Sequence, residues 1–203
     1  MQPPGSPAEP PRRTLAALGL SPRKSLGQNF LADPNVARKI VGLARKFPPP
    51  YLEIGPGLGA LTSPLAEAGA PVVAVELDRG LAAHLRDRFA GGSVEIVEAD
   101  FLKIPAQEWR RRFPSGATAL GNLPYAISSP VVLRLIELRD RFPRAVLMLQ
   151  REVVDRLCAG PGGKEYGILS VYLGVLAETR KEFVVRRACF HPAPDVDSAV
   201  MSV

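Results

Sequence analysis

The chain has 203 residues, 46% of them hydrophobic, a length and apolar content that suit one folded domain with a proper core. Its two cysteines, Cys158 and Cys189, exclude a disulfide framework and show no metal spacing, so a reducing compartment and no bound metal are expected. A net charge of +6 favours a polyanionic partner, and no apolar run reaches the length of a bilayer span.

Met1–Pro11 carries five prolines and little apolar content, which reads as a disordered tail, with residues 1–13 outside the fold and order starting near Thr14. Asp33-Pro34 is a helix start, and Val36, Ile40, Leu43 and Phe47 then share one face up to Pro48-Pro49-Pro50. Tyr51–Ile54 reads as a first strand, followed by a glycine turn and a helix carrying Leu61 and Leu65 that ends by Gly69. Val72–Val75 is a second strand, Asp78 caps a helix with Leu81, Leu85 and Phe89, and Val94–Val97 is a third strand. Thr118–Leu120 ends a fourth strand, and Ser129-Pro130 starts a helix through Val131, Leu135 and Leu138. Ala145–Leu149 is a fifth strand, Arg151–Cys158 and Ile168–Ala177 read as helices, and Phe183–Val185 and Ala199–Val203 as terminal strands. Strands alternating with helices predict an α/β fold, a doubly wound, mostly parallel sheet with helices on both faces and an antiparallel pair at its end.

Ligands of such sheets sit beyond the carboxyl ends of the strands near the point where strand order reverses. Four groups of residues fall there. Glu53-Ile54-Gly55-Pro56-Gly57-Leu58-Gly59 spaces its glycines as G-x-G-x-G, which lets backbone approach a ligand closely but departs from the dinucleotide pattern G-x-G-x-x-G. A compact nucleoside such as S-adenosylmethionine is therefore expected rather than a pyrophosphate. Glu76 closes the second strand about twenty residues later, where a carboxylate can accept from both ribose hydroxyls. Asp100 follows the third strand and can accept from an adenine amino group while Phe101 or Leu102 packs on the ring, although a capping role fits it equally.

The fourth group is Asn122-Leu123-Pro124-Tyr125. An aromatic amine delocalises its lone pair, and acceptors aimed at both N–H bonds push it toward the tetrahedral geometry of a nucleophile. The Asn122 side-chain oxygen is one acceptor. The other is the main-chain carbonyl of Leu123, biased to an extended conformation by Pro124. Tyr125 offers a face for stacking a base, worth roughly 1–3 kcal/mol. A plain turn after a strand is the competing reading of this tetrapeptide. Direct methyl transfer needs no general base, so His191, Ser128 and Ser129 are assigned no catalytic role. Among the 26 basic residues only six are lysines, and the arginine-rich stretches Glu108–Arg112, Arg139–Arg144 and Arg186-Arg187 are candidate phosphate contacts or solvated faces.

From about Lys24 onward the chain resembles the ribosomal RNA adenine N6-dimethyltransferase family. The resemblance rests on Gln28-Asn29-Phe30-Leu31, Glu53 to Thr62, Glu76, Asp100, Asn122 to Tyr125, Gln150-Arg151-Glu152-Val153, and Phe190 to Val200. It implies a seven-stranded, Rossmann-like class I methyltransferase sheet using S-adenosylmethionine and yielding S-adenosylhomocysteine. Gln28, Asn29, Leu31, Gly55, Gly57, Glu76, Leu77, Asp100, Phe101 and Asn122 would bind the cofactor. Asn122, Leu123, Pro124, Tyr125 and Phe190 would hold the target adenine, with Tyr125 and Phe190 on its two faces. The implied reaction is dimethylation of two adjacent adenosines near the 3′ end of small-subunit (16S) ribosomal RNA, in an immature 30S particle, by a cytoplasmic monomer. Related alternatives are a large-subunit adenine methyltransferase and a nucleic-acid-binding factor on the same fold. A nicotinamide oxidoreductase is disfavoured by the glycine spacing. Family members usually continue into a small helical domain, so residues 14–203 are expected to be a catalytic domain that retains cofactor binding.

Overall fold

The computed structural model describes residues 9–23 and 26–203. Order begins with helix α1 (Pro11–Ala17), three residues before the expected Thr14, because Pro11 sits at the first helical position and, with Leu15, is buried. Residues 11–13 therefore leave the expected tail, while residues 1–8 and Lys24 lie outside the described residues.

The order of elements continues with β1 (Phe30–Leu31), α2 (Pro34–Ala44), β2 (Tyr51–Ile54), α3 (Thr62–Glu67), β3 (Val72–Glu76), α4 (Arg79–Arg88), β4 (Val94–Glu98), α5 (Ala106–Arg112) and β5 (Thr118–Asn122). Then come α6 (Ser128–Glu137), β6 (Arg144–Gln150), α7 (Arg151–Leu157), α8 (Ile168–Leu176), β7 (Arg180–Val185), β8 (Phe190–His191) and β9 (Ser198–Ser202). Seven strands form one sheet in the order β4-β3-β2-β5-β6-β9-β7, parallel from β4 to β6, with β9 antiparallel to both neighbours. The expected doubly wound sheet is present. Strand order reverses between β2 and β5, and both strands are buried almost throughout because helices cover both faces. One face packs on α2 and α3 through Ile40, Val41 and Leu65; the other packs on α5 to α8 through Trp109, Val131, Leu135, Val154 and Leu173.

Local chemistry sets the helix starts. The Asp33 carboxylate accepts from the amides of Asn35 at 2.8 Å and Val36 at 3.3 Å, and that of Asp78 accepts from Gly80 at 2.9 Å and Leu81 at 3.1 Å. Helix α2 stops at Ala44, short of the expected Phe47, whose carbonyl instead accepts from the Tyr51 hydroxyl at 3.0 Å. Among the described residues no helix is long and apolar enough to cross a membrane.

Helix α5 accords with the solvated-face reading of Glu108–Arg112. Arg110 pairs with Asp140 at 3.0 Å, Arg111 with Glu108 at 2.8 Å, and Arg112 with both Glu95 and Glu108 at 2.6 and 2.8 Å, so these guanidinium groups tie α5 to its surroundings. Arg139 and Arg141 likewise donate to the carbonyls of Ile136 and Pro114. Among the three stretches, Arg186 and Arg187 are the arginines whose side chains bond no other described residue. Beneath α5, Trp109 is wholly buried among Phe101, Phe113 and Phe142, with ring centroids 5.5 to 6.1 Å apart. Trp109→Ala is expected to cost about 3–5 kcal/mol in chemical denaturation, since neighbouring strands cannot collapse into the space.

Candidate active site

A cleft of about 180 Å³ opens at the carboxyl ends of β2 to β5, where the strand order reverses. Every residue singled out from the sequence for cofactor or target base lines it.

The glycine turn after β2 has Gly55, Gly57 and Gly59 at φ of +68°, +59° and +82°, a region that costs other residues strain. A Cβ on Gly55 would meet only the Asn122 carbonyl oxygen at 4.0 Å, so the bare backbone faces the cleft. Glu76 ends β3 and is 6% exposed; its carboxylate accepts from the amides of Gly57 at 3.0 Å and Asp78 at 2.9 Å. Burial pushes its pKa up while those amides pull it down. It thus shapes the turn and keeps lone pairs for a ligand. Asp100 is a cap, one oxygen accepting from Leu102 N at 3.0 Å at the 3-10 turn Phe101–Lys103, and the residue also lines the cleft. Phe101 lines the cleft too, 4% exposed, with its ring supported by Trp109.

Strand β5 runs two residues beyond the expected Leu120, carrying Gly121 and Asn122 within the sheet. The Asn122 amide nitrogen donates to the Asn29 carbonyl at 3.0 Å, which orients the amide and leaves its oxygen as the free acceptor. Leu123 N donates to the Met148 carbonyl at 3.0 Å, and the Leu123 carbonyl is bonded to no other described residue. Tyr125 begins the next turn, half-buried, its hydroxyl 3.4 Å from Ser198 Oγ; burial raises its pKa. Ser128 donates to the Pro124 carbonyl at 3.1 Å, a structural role.

The segment Gln28–Leu31 forms the opposite wall. Strand β1 pairs with β8, matching Leu31 with Phe190 and Phe30 with His191, and Ala32 N donates to the Cys189 carbonyl at 2.7 Å. Phe190 is 6% exposed, so its ring belongs mainly to the core while it also lines the cleft with Tyr125. His191 points no function into this space, since it is absent from the lining.

Glu53 opens the glycine motif, and the sequence reading assigns it no role. It ends the wall on β2, 1% exposed, with Thr62 Oγ1 donating to its Oε2 at 2.7 Å. Burial, with a smaller push from Glu76, raises its pKa to about 8 against the opposing bond from Thr62. A carboxyl in an otherwise apolar buried strand was the available signal. Its folded-state pKa lies above the unfolded one, so its contribution to stability is full below the unfolded value of 4.5 and is lost as pH rises through about 8. Thermal melts should therefore fall in this interval, and Glu53→Gln should flatten that fall.

Among the described residues, the charged ones lining the cleft are Glu53, Glu76 and Asp100, with no lysine, arginine or histidine. In a chain of net charge +6, such a cleft disfavours a pyrophosphate and suits a nucleoside bearing positive charge.

The ribosomal RNA adenine dimethylase family profile matches residues 19–203. The ribosomal RNA small subunit methyltransferase A of Geobacter sulfurreducens is 50% identical over 186 residues, 90% of this chain and 67% of that protein. Its counterpart in Chlorobium phaeobacteroides is 44% identical over 89% of this chain and 68% of its own length. A dimethyladenosine transferase from Plasmodium falciparum superposes with a TM-score of 0.74 at 32% identity, covering 85% of this chain, which spans 62% of that structure. The 23S rRNA methyltransferase ErmE also gives 0.74, at 33% identity over 86% of this chain and 68% of its own. The chain therefore spans about two thirds of the length of these relatives. With the profile matching nearly the whole chain and a relative 50% identical over 90% of it, the protein belongs to the ribosomal RNA adenine dimethylase family.

Proposed function

We propose that this chain transfers methyl groups from S-adenosylmethionine to the N6 atoms of two adjacent adenosines near the 3′ end of small-subunit ribosomal RNA. The observation that carries this reading is the junction of a cleft whose charged groups are all carboxylates with the two acceptors on Asn122 and Leu123. When bound, the cofactor supplies an electrophilic methyl group on a sulfonium sulfur.

The chain's own residues bind and align. Glu76 accepts from the ribose hydroxyls, Asp100 from the adenine amino group, and Phe101 and Leu77 pack beside the ring. Gly55 and Gly57 give the backbone its close approach, while Gln28, Asn29 and Leu31 wall the methionine side. The target adenine leaves its stack and enters between Tyr125 and Phe190. The Asn122 oxygen and Leu123 carbonyl accept its two N–H bonds, raise the nitrogen lone pair toward the methyl group and stabilise the charge that develops there. The nitrogen loses a proton to water after transfer, and a second transfer follows the same route. The enzyme acts as a cytoplasmic monomer on the immature 30S particle.

Isothermal titration calorimetry tests the cofactor half of the reading. S-adenosylmethionine should bind the wild type, and Glu76→Ala should weaken it by about tenfold or more, the loss of charge-assisted bonds worth about 1.5–3 kcal/mol. Absence of binding by a folded wild type would refute it. Relatives named for the small subunit reach 50% identity against 33% for ErmE, which favours small-subunit over large-subunit RNA. Methylation of purified immature small subunits compared with protein-free large-subunit RNA separates the two.

A further inference from the structure

Glu53 and Glu76 stand on adjacent parallel strands at the floor of the cleft, 1% and 6% exposed, and neither is ion-paired with a described residue. A buried carboxylate without a cation is costly, and a second one nearby adds to the cost, Glu76 lying two residues beyond Ala74, the strand partner of Glu53. A proton on one of them removes most of that cost. Their partners decide which one holds it. Glu76 accepts from two main-chain amides, which can only donate and so favour its ionised form. Glu53 meets one hydroxyl, Thr62 Oγ1 at 2.7 Å, which donates to an ionised carboxylate or accepts from a protonated one. The groups that act on Glu53 are thus Glu76 from β3, through charge, and Thr62 from α3, through its bond; its partner on β5 is the apolar Leu120, and Asp100 is the third carboxylate of the cleft. Among the described residues no basic side chain lines the cleft.

We propose that Glu53 is protonated when the cleft is empty or holds the neutral thioether product, and ionises when the cationic methyl donor binds. Glu53 then acts as a charge-matching residue that favours substrate over product. This rests on the cofactor assignment made above. In the transfer, the target nitrogen forms the N–C bond with its lone pair, the pair of the broken C–S bond stays on sulfur, and the amine's proton goes to water. Loss of the sulfonium charge raises the affinity of Glu53 for a proton, which it takes from solvent. It releases that proton when product is exchanged for fresh donor. One proton per methyl still leaves over the whole cycle, and part of the driving force for exchange comes from pH.

The test is calorimetry of the wild-type chain with S-adenosylmethionine and with S-adenosylhomocysteine, in buffers of different ionisation enthalpy. At about pH 7 the donor should release close to one proton and the product far less. Affinity for the donor should rise about tenfold per pH unit below the break and level off above it, while affinity for the product stays nearly flat. Glu53→Gln should release no proton with either ligand and lose the pH slope. Thr62→Val removes the bond that favours the ionised form, so it should keep proton release but move the break to higher pH. Carboxyl carbon NMR of glutamate-labelled wild type needs no variant: one resonance should titrate near pH 8 in the empty protein and move down on adding the donor. Donor binding without proton release, or Glu53→Gln releasing as many protons as wild type, would overturn this proposal alone. No donor binding at all would overturn the cofactor assignment and this proposal with it.

Discussion

Asn122→Ala is expected to lower methyl transfer by about 10²–10³-fold while the chain stays folded, the scale of removing one preorganised group from a transition state. The loss comes from the acceptor: Asn122 Oδ1 is left free because the amide nitrogen is engaged by the Asn29 carbonyl at 3.0 Å. Alanine also deletes that bond, worth about 1 kcal/mol, so donor affinity should weaken by no more than about tenfold as the Gln28–Leu31 wall loosens. Single-turnover kinetics at saturating donor, set beside calorimetric affinity, separates the two effects. If transfer falls only in proportion to affinity, Asn122 holds the wall and not the amine.

Gly121→Ala should be the most destructive small substitution in the sheet. A Cβ at Gly121 would lie 2.6 Å from the Ile54 carbonyl oxygen and 3.0 Å from Leu123 Cδ2. Both neighbours are fixed, since Ile54 ends β2 and leads into the glycine turn, and Leu123 is 1% exposed in the core. Relief requires β5 to part from β2 at the strand-order reversal, which moves Asn122 away from Gly55. The expected cost is about 3 kcal/mol or more in denaturation, in the range of severe overpacking. Gly174 in α8 is the control. Nothing lies within 4 Å of its would-be Cβ, and alanine there should be neutral or stabilising by up to about 1 kcal/mol. A Gly121→Ala protein as stable as wild type would show that β2 and β5 do not approach as described.

Features fixed by local chemistry were legible in the sequence. Asp33 and Asp78 each precede a helix and cap it, and the glycine spacing after a short apolar strand located the turn and the ligand side of the sheet. Asn122 was legible as an acceptor but not as the end of β5, because Gly121 reads as a strand breaker unless the closeness of Ile54 is known. Strands β1 and β8 have two residues each, too few for any periodicity, and they pair across most of the chain. The arginines of α5 read as either phosphate contacts or a solvated face because two of the carboxylates that hold them, Glu95 and Asp140, come from β4 and from the segment before β6. Glu53 stands out in the sequence as a carboxyl within an apolar strand, but its near-complete burial, with no cation lining the cleft among the described residues, is not recorded by spacing.

The most direct test of adenine N6 methylation by this cleft and the Asn122–Tyr125 turn is to incubate the chain with S-adenosylmethionine and immature small subunits, then analyse nucleosides by mass spectrometry and map the reverse-transcription stops. The expected product is N6,N6-dimethyladenosine at two adjacent positions near the 3′ end of the RNA, absent with Asn122→Ala. Donor-dependent methylation of large-subunit RNA alone, or of any atom other than adenine N6, would contradict it.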